Sequence, residues 1–456
     1  MSQTIIVFGA SGDLAKLKIY PALFELFSQN FLEPDFNLIG YSRSKIEAQD
    51  FQTLVRNSIQ NKATELGSSI QMVENFLERS SYISGQYDQK ADLENIFEKI
   101  KTIAPGNAQK SEKDQILCYF SVPPQVFEPL ILGLAVFDQN YNLKVVIEKP
   151  FGVSEASAKR LYSLITQNFN EDQFYLLDHF LGKIAVRDIL ALRQQNSILN
   201  HLLKGKHIKS IQISALETVG VDSRLGFFDS VGSIRDMIQS HLLQVLALVC
   251  MDLPVNNQSV SREKGHILAS TNFHPSANNL KIGQYADYRS QNAAVANSNT
   301  ETFVAVKLMI DRQDWYKTPI YIRTGKKLSQ KTSKVVVEFN NLITQNEDSP
   351  TNKLTLEFAP NETINLQLSH TFGSIQTTES LSCVGPGCLS DYASLINDAF
   401  KGDHLYFVTF EQIIQSWRVT DQILAFKESL EPQSYTPGSD PDFENQIFAH
   451  GKGEWF

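Results

Sequence analysis

The chain has 456 residues, too many for one ordinary hydrophobic core, so two domains are expected, with three as the alternative. Its 42% hydrophobic and 20% charged residues are the balance of a globular protein, and no stretch approaches the roughly 18 uncharged apolar residues of a membrane span. A net charge of −9 excludes the face-wide basic excess that nucleic-acid binding needs, while leaving room for an anionic small molecule held by a few lysines in one cleft.

The first residues enter a β-strand directly, with no basic leader or cleavage site, so no secretory signal is expected. The apolar run Ile5 to Phe8 is followed by a tight turn from Gly9 to Gly12 and a helix opening on Asp13 that runs to about Ser28. A second strand begins at Phe36 and ends near Ser42; a third starts at Ile116 and is closed by Pro123 and Pro124; a fourth starts at Leu143 and is closed by Pro150. Such short, continuous apolar runs are what a parallel sheet covered on both faces requires. Residues 103–114 read as a polar loop.

Beyond about residue 180 the pattern changes to longer, alternating strands over 208–217, 302–310, 334–339, 353–358 and 363–368, the signature of an antiparallel sheet. An apolar helix over 233–251 lies between the first two, and 253–300 reads as extended loop and short helix. The expected architecture is α/β: a doubly wound, Rossmann-type sheet over 1–180, then a larger α+β domain over 181–456 with a mostly antiparallel sheet. Four widely spread cysteines (Cys118, Cys250, Cys383, Cys388) in an unexported chain read as reduced thiols. Cys383 and Cys388 frame a Val-Gly-Pro-Gly turn, a poor zinc pattern, and no metal is expected.

Several segments carry chemistry. The strand–glycine turn–helix corner places backbone N–H groups and a positive helix end where a pyrophosphate can sit, although such corners also need glycine for packing alone. Lys18 can point a cation back into the same cleft. Past the second strand, Tyr41-Ser42-Arg43-Ser44 offers a guanidinium and hydroxyls but no acid. That position faces the adenosine ribose of a bound dinucleotide, so NADP is favoured over NAD; the alternative is a solvated surface arginine.

Glu148-Lys149-Pro150 closes the fourth strand, and strand C-termini in open sheets point into the ligand crevice; a cis Pro150 would aim Lys149 inward. Asp178-His179-Phe180-Leu181-Gly182-Lys183 places an acid, an imidazole and an ammonium within six residues, a candidate phosphate pocket. His241 enters a helix followed by two turns of aliphatics, where it is either a satisfied core histidine or, with a partner acid such as Asp178, a base. Lys326 and Lys331 lie on a charged glycine turn that by itself reads as a solvated face.

Gly9-Ala10-Ser11-Gly12-Asp13-Leu14-Ala15, Glu148-Lys-Pro-Phe-Gly, Asp178-His-x-Leu-Gly-Lys, Ile234-Arg-Asp-x-x-Gln-x-His, Gly283-Gln-Tyr, Glu301 to Tyr321, Arg323-Thr-Gly-Lys and Tyr435-x-x-Gly-Ser occur together and in order. As a set they resemble the glucose-6-phosphate dehydrogenase family over essentially the whole chain. The resemblance implies oxidation of β-D-glucose 6-phosphate at C1 to 6-phosphoglucono-1,5-lactone, with hydride transfer to NADP, in the cytoplasm, as the first step of the oxidative pentose phosphate pathway. It implies that Gly9 to Lys16, Arg43 and Lys149 hold NADP, with Lys18 and Lys149 between coenzyme and sugar. His179, Lys183, Lys326 and Lys331 would serve the sugar phosphate and neighbouring hydroxyls, with Glu217 and Asp236 on sugar hydroxyls. His241 would be the general base, oriented by Asp178; a neutral imidazole suits that task near pH 7. A homodimer or homotetramer assembled through the β-sheet domain is also implied.

Some positions depart from the family pattern. Leu176, Phe180 and Ile184 replace an arginine, a tyrosine and a glutamate, and Ala359 stands where a sugar-contacting glutamine is common. Losing the tyrosine hydroxyl removes a phosphate donor worth on the order of 1–3 kcal/mol, so a raised KM for the sugar phosphate is expected. Glu357 occupies the place of an arginine that helps some members bind a second, structural NADP, which argues against that second site here. Two other readings fit these losses: a related dehydrogenase acting on an unphosphorylated sugar, and a catalytically weak NADP-binding regulator. The first is opposed by the cations His179, Lys183, Lys326 and Lys331, the second by retention of His241, Asp178 and Lys183.

Overall fold

The computed structural model describes residues 3–103, 115–138, 141–221, 224–254, 256–340, 351–370, 373–381, 383, 387–448 and 453–456. The chain forms two compact units, one of residues 1–182 and 384–410, the other of 183–383 and 411–456.

The first unit is built on six parallel strands: β1 (Gln3–Phe8), β2 (Asn37–Ser42), β3 (Ser80–Ser84), β4 (Gln115–Phe120), β5 (Asn142–Glu148) and β6 (Phe174–Leu177). Their order is β3-β2-β1-β4-β5-β6, so the sheet reverses direction beside β1, and ligands of such sheets bind at that reversal. Register is set by fully buried aliphatics, with Ile6 opposite both Ile39 and Cys118. The strand β3 escapes the sequence pattern because Ser-Ser-Tyr-Ile-Ser carries little apolar signal. The polar loop expected over 103–114 falls, from residue 104 onward, outside the described residues.

The first unit also contains residues 384–410, which lie within the span 181–456 expected for the second domain. Ala393, Leu395, Ile396, Ala399 and Phe400 of the helix Asp391–Lys401 belong to the same apolar cluster as Leu23 and Phe24 of the helix Tyr20–Ser28. Lys144 Nζ donates to the Ala399 and Phe400 carbonyls at 3.0 and 2.8 Å, and Ser390 N donates to the buried Glu25 carboxylate at 2.9 Å. An amphipathic helix shows that it has an apolar face but not which sheet that face covers.

The second unit contains β7 (Ile208–Leu216), β8 (Thr271–Asn272), β9 (Leu280–Tyr285), β10 (Phe303–Ile310), β11 (Ile320–Gly325), β12 (Thr332–Phe339), β13 (Lys353–Ala359), β14 (Thr363–His370), β15 (Gly373–Ser380) and β16 (Gln433–Tyr435). The order β15-β14-β13-β12-β7-β11-β10-β9-β16 is antiparallel except for the β7–β11 and β9–β16 pairs, and β8 pairs with β10. Two expectations are corrected. The helix expected over 233–251 is a helix Leu225–Ser233, a π-helix Ile234–Leu242 and a helix Leu243–Cys250, broken at Gly232, whose φ of 71° and ψ of 169° are not helical. The stretch 253–300, expected as extended loop and short helix, holds the helix Val260–Ser270 but also strands β8 and β9, whose polar and glycine residues hide their periodicity.

Cys118 and Cys250 are buried free thiols, as expected, but Cys383 and Cys388 are disulfide-bonded. The expectation of reduced thiols rested on compartment chemistry, which does not register that two cysteines five positions apart can meet disulfide geometry. No helix among the described residues is long and apolar enough to cross a membrane.

Candidate active site

In the first unit the chain leaves β1 through Gly9, at φ 83°, where a Cβ would collide with the Ser121 carbonyl at the end of β4. Gly9 N donates to the Tyr41 carbonyl at 2.8 Å, Gly12 N to the Gly9 carbonyl at 2.9 Å, and Tyr20 OH to the Ala10 carbonyl at 2.6 Å. The turn is thereby fastened to β2, to itself and to the helix that follows. Residues Ala15–Ile19 take π-helical form, with Ala15 buried and Lys16 paired to Asp13 at 3.0 Å. Ser11, Leu14 and Lys16 are half-buried, whereas Asp13 and Lys18 are exposed.

The structure joins this turn to the end of β2. Ser11 Oγ lies 3.1 Å from Ser42 Oγ and 3.4 Å from Ser44 Oγ, and Tyr82 OH is 2.7 Å from Ser42 Oγ. The exposed Arg43 guanidinium sits 5.8 Å from the centre of the Tyr87 ring, whose hydroxyl pKa is raised by burial. Tyr82 and Tyr87 were not singled out in the sequence, where tyrosines on β3 and in the following loop have no motif.

At the end of β5, burial pushes the Glu148 carboxyl up to about 7; it accepts hydrogen bonds from Tyr119 OH at 2.5 Å and Tyr392 OH at 3.4 Å. The Lys149–Pro150 peptide is cis. At the end of β6, Asp178 is 1% exposed and its Oδ1 accepts Phe180 N at 3.0 Å. Phe180 is buried and meets the His179 ring edge-on at 5.4 Å; the Leu176 side chain is buried.

Tyr392, which no sequence motif marks, connects His179, Lys18 and Glu148. Its ring stacks on His179 at 6.3 Å, lies 6.0 Å from Lys18 Nζ, and its hydroxyl reaches Glu148. It comes from the segment returned to the first unit.

In the second unit Lys183 is half-buried at the N-cap of the helix Ile184–Gln195. The π-helix Ile234–Leu242 carries Asp236, half-buried, and His241, 1% exposed. Hydrogen bonds from i to i+5 bring residues five apart toward one face, as these two are. Lys326 is 5% exposed, lies 5.3 Å from the Phe228 ring centre and donates to Glu217 Oε2 at 2.6 Å. The turn that reads in sequence as solvated is therefore built into the unit at Lys326. Lys331 differs: it is exposed. Ala359 ends β13 before a cis Pro360, and Glu357 lies opposite Lys334 of β12.

A six-stranded parallel sheet with a glycine turn after its first strand, at the reversal point, defines the class of dinucleotide-binding α/β proteins. Residues 6–188 match the family model for the glucose-6-phosphate dehydrogenase NAD binding domain, and 190–456 that for the C-terminal domain of the same enzyme. The chain belongs to the glucose-6-phosphate dehydrogenase family. It is similar to the glucose-6-phosphate 1-dehydrogenase of Dictyostelium discoideum, 32% identical with 96% of this chain and 91% of the relative covered. Glucose-6-phosphate 1-dehydrogenase 6, cytoplasmic, of Arabidopsis thaliana is 31% identical over 96% of this chain and 88% of its own length. Among solved structures, a glucose-6-phosphate dehydrogenase in complex with its substrate glucose-6-phosphate matches with a TM-score of 0.90 and 31% identity, covering 100% of this chain and 98% of that one.

Proposed function

We propose that this protein oxidises β-D-glucose 6-phosphate at C1 to 6-phosphoglucono-1,5-lactone, passing a hydride to NADP+. The observation that carries the reading is the retention of a buried His241 five residues after Asp236 on a π-helix, in a chain whose family is matched over both domains.

The residues after β1 and β2 fit NADP. Gly9 lets the turn pack directly against the end of β4, and the helix start supplies N–H groups for a pyrophosphate. Arg43, amid the hydroxyls of Ser11, Ser42 and Ser44 with no acid in Tyr41 to Ser44, suits a 2′-phosphate. When bound, NADP+ supplies the hydride acceptor. Gly9 to Lys16, Arg43 and Lys149 are assigned to holding it.

Lys18, Lys149, His179, Lys183, Lys326 and Lys331 are assigned to the sugar phosphate and adjoining hydroxyls, with Glu217 and Asp236 as hydroxyl acceptors. The Lys326–Glu217 ion pair supports the assignment because it pre-orders a donor and an acceptor together. His241 takes the C1 hydroxyl proton on one ring nitrogen as the hydride leaves, and Asp178 is assigned to fixing its tautomer and steadying the imidazolium.

Assembly as a homodimer or homotetramer through the sheet of the second unit belongs to the same proposal, supported by the exposed apolar residues Leu368 and Ile375 on β14 and β15. Residence in the cytoplasm is supported by the name of the Arabidopsis relative.

The test is NADPH formation followed at 340 nm with glucose 6-phosphate, glucose, NADP and NAD in all pairings. Turnover is expected with glucose 6-phosphate and NADP, and His241→Ala should reduce kcat by about 10²–10⁴-fold. Near-normal turnover by that variant would remove His241 from the role.

A further inference from the structure

Glu301 is fully buried, two residues before β10, and makes contacts that none of the candidate roles uses. Its Oε1 accepts Ile234 N at 3.0 Å and its carbonyl accepts Ser233 N at 3.2 Å. Two N–H groups at the start of the π-helix, where intrahelical partners are lacking, are thereby satisfied by one residue. The other oxygen, Oε2, is paired with Nζ of Lys427, the last residue of the helix Phe410–Lys427. Gly232 completes the arrangement. Its φ of 71° turns the chain into the π-helix, and a Cβ there would collide with the Glu301 carboxylate.

The neighbouring residue ties in the other candidate cluster of this unit. The Thr302 carbonyl accepts Lys326 N at 3.0 Å, and Thr302 Oγ1 lies 2.9 Å from Tyr435 OH, which donates to the Lys326 carbonyl at 2.6 Å. Two consecutive residues therefore anchor both the helix bearing Asp236 and His241 and the turn bearing Lys326.

A buried ion pair is a poor source of net stability compared with apolar residues of similar volume, but removing one partner leaves an uncompensated buried charge. We propose that Glu301 is a positioning residue for catalysis: its carboxylate fixes the start, and hence the register, of the π-helix that aligns Asp236 with His241, and Lys427 holds that carboxylate in place. This inference rests on the reading of His241 as the base.

The test compares full-length variants for kcat, for KM of glucose 6-phosphate and NADP, and for melting temperature. Glu301→Gln with Lys427→Met keeps an acceptor for Ile234 N and removes both charges. Glu301→Leu with Lys427→Met removes the acceptor as well. The Leu/Met protein is expected to turn over at least tenfold more slowly than the Gln/Met protein, with the KM for NADP within threefold and similar melting temperatures. Equal kcat in the two, or a difference confined to KM or melting, overturns the proposal. If the Leu/Met protein does not fold, Glu301→Asp gives the same reading. Its carboxylate stops one methylene short of Ile234 N, so kcat should fall at least fivefold; a kcat within twofold of the unsubstituted protein overturns the proposal. A parent chain that forms no NADPH, or a His241→Ala variant as fast as the parent, instead defeats the dehydrogenase reading itself.

Discussion

Glu148 is an acid whose burial, reinforced by Asp178, favours the protonated form up to about pH 7, against hydrogen bonds from Tyr119 and Tyr392 that favour the carboxylate. The ordinary value for such a group is 4.5, so between these two pH values the folded chain keeps a proton that the unfolded chain has released. Its contribution to stability is therefore full below about pH 4.5 and is lost as pH rises through about 7, a change on the order of 3 kcal/mol. Urea unfolding at pH 5 and pH 8 should show the parent losing stability relative to Glu148→Gln at the higher pH; parallel behaviour of the two would refute the assignment. Lys149 and Asp178 could be proposed from sequence because strand ends of a parallel sheet are where ligands bind. Tyr392 was not legible, because its importance comes from touching His179, Lys18 and Glu148, which are more than two hundred residues away in the chain.

At the scale of elements, both π-helical stretches carry candidate residues: Ala15–Ile19 holds Lys16 and Lys18, and Ile234–Leu242 holds Asp236 and His241. Such geometry is rare and is concentrated at functional sites, since it re-aims side chains at some cost in backbone hydrogen bonding. The apolar period of residues 233–251 predicts a single helix because a hydrophobic pattern cannot distinguish 3.6 residues per turn from a locally wider turn. Gly232, just before that pattern, was the available signal for a break at its start. Gly232→Ala should destabilise the protein by at least about 2 kcal/mol through its left-handed φ and the clash with Glu301, with kcat falling alongside. Thermal melting and steady-state assays of that variant check both effects; an alanine protein that melts and turns over normally would contradict this account of the helix start.

At the scale of the whole molecule, the chain passes from the first unit to the second at 182–183, returns at 383–384 and leaves again at 410–411. Strand pattern and motif change together near the first passage, whereas the return leaves no mark in the sequence, because a helix with one apolar face is equally at home on either sheet. The first unit is consequently not a contiguous piece of sequence. A fragment of residues 1–182 should expose the apolar face of Tyr20–Ser28 and aggregate or melt at low temperature. The same fragment with 384–410 joined by a flexible linker should be better folded and bind NADP, as dispersion, circular dichroism and coenzyme titration can establish. A stable, NADP-binding 1–182 fragment would show that the returning segment is dispensable.

The returning segment also sets a schedule for synthesis. A ribosome that has delivered the β1–β6 sheet must add more than two hundred further residues before the helix Asp391–Lys401 emerges. At about 5–20 residues per second, the face awaiting that helix stays uncovered for roughly ten seconds to most of a minute. The first unit is thus completed late, and the nascent chain carries an open hydrophobic surface through nearly half of the sequence's translation.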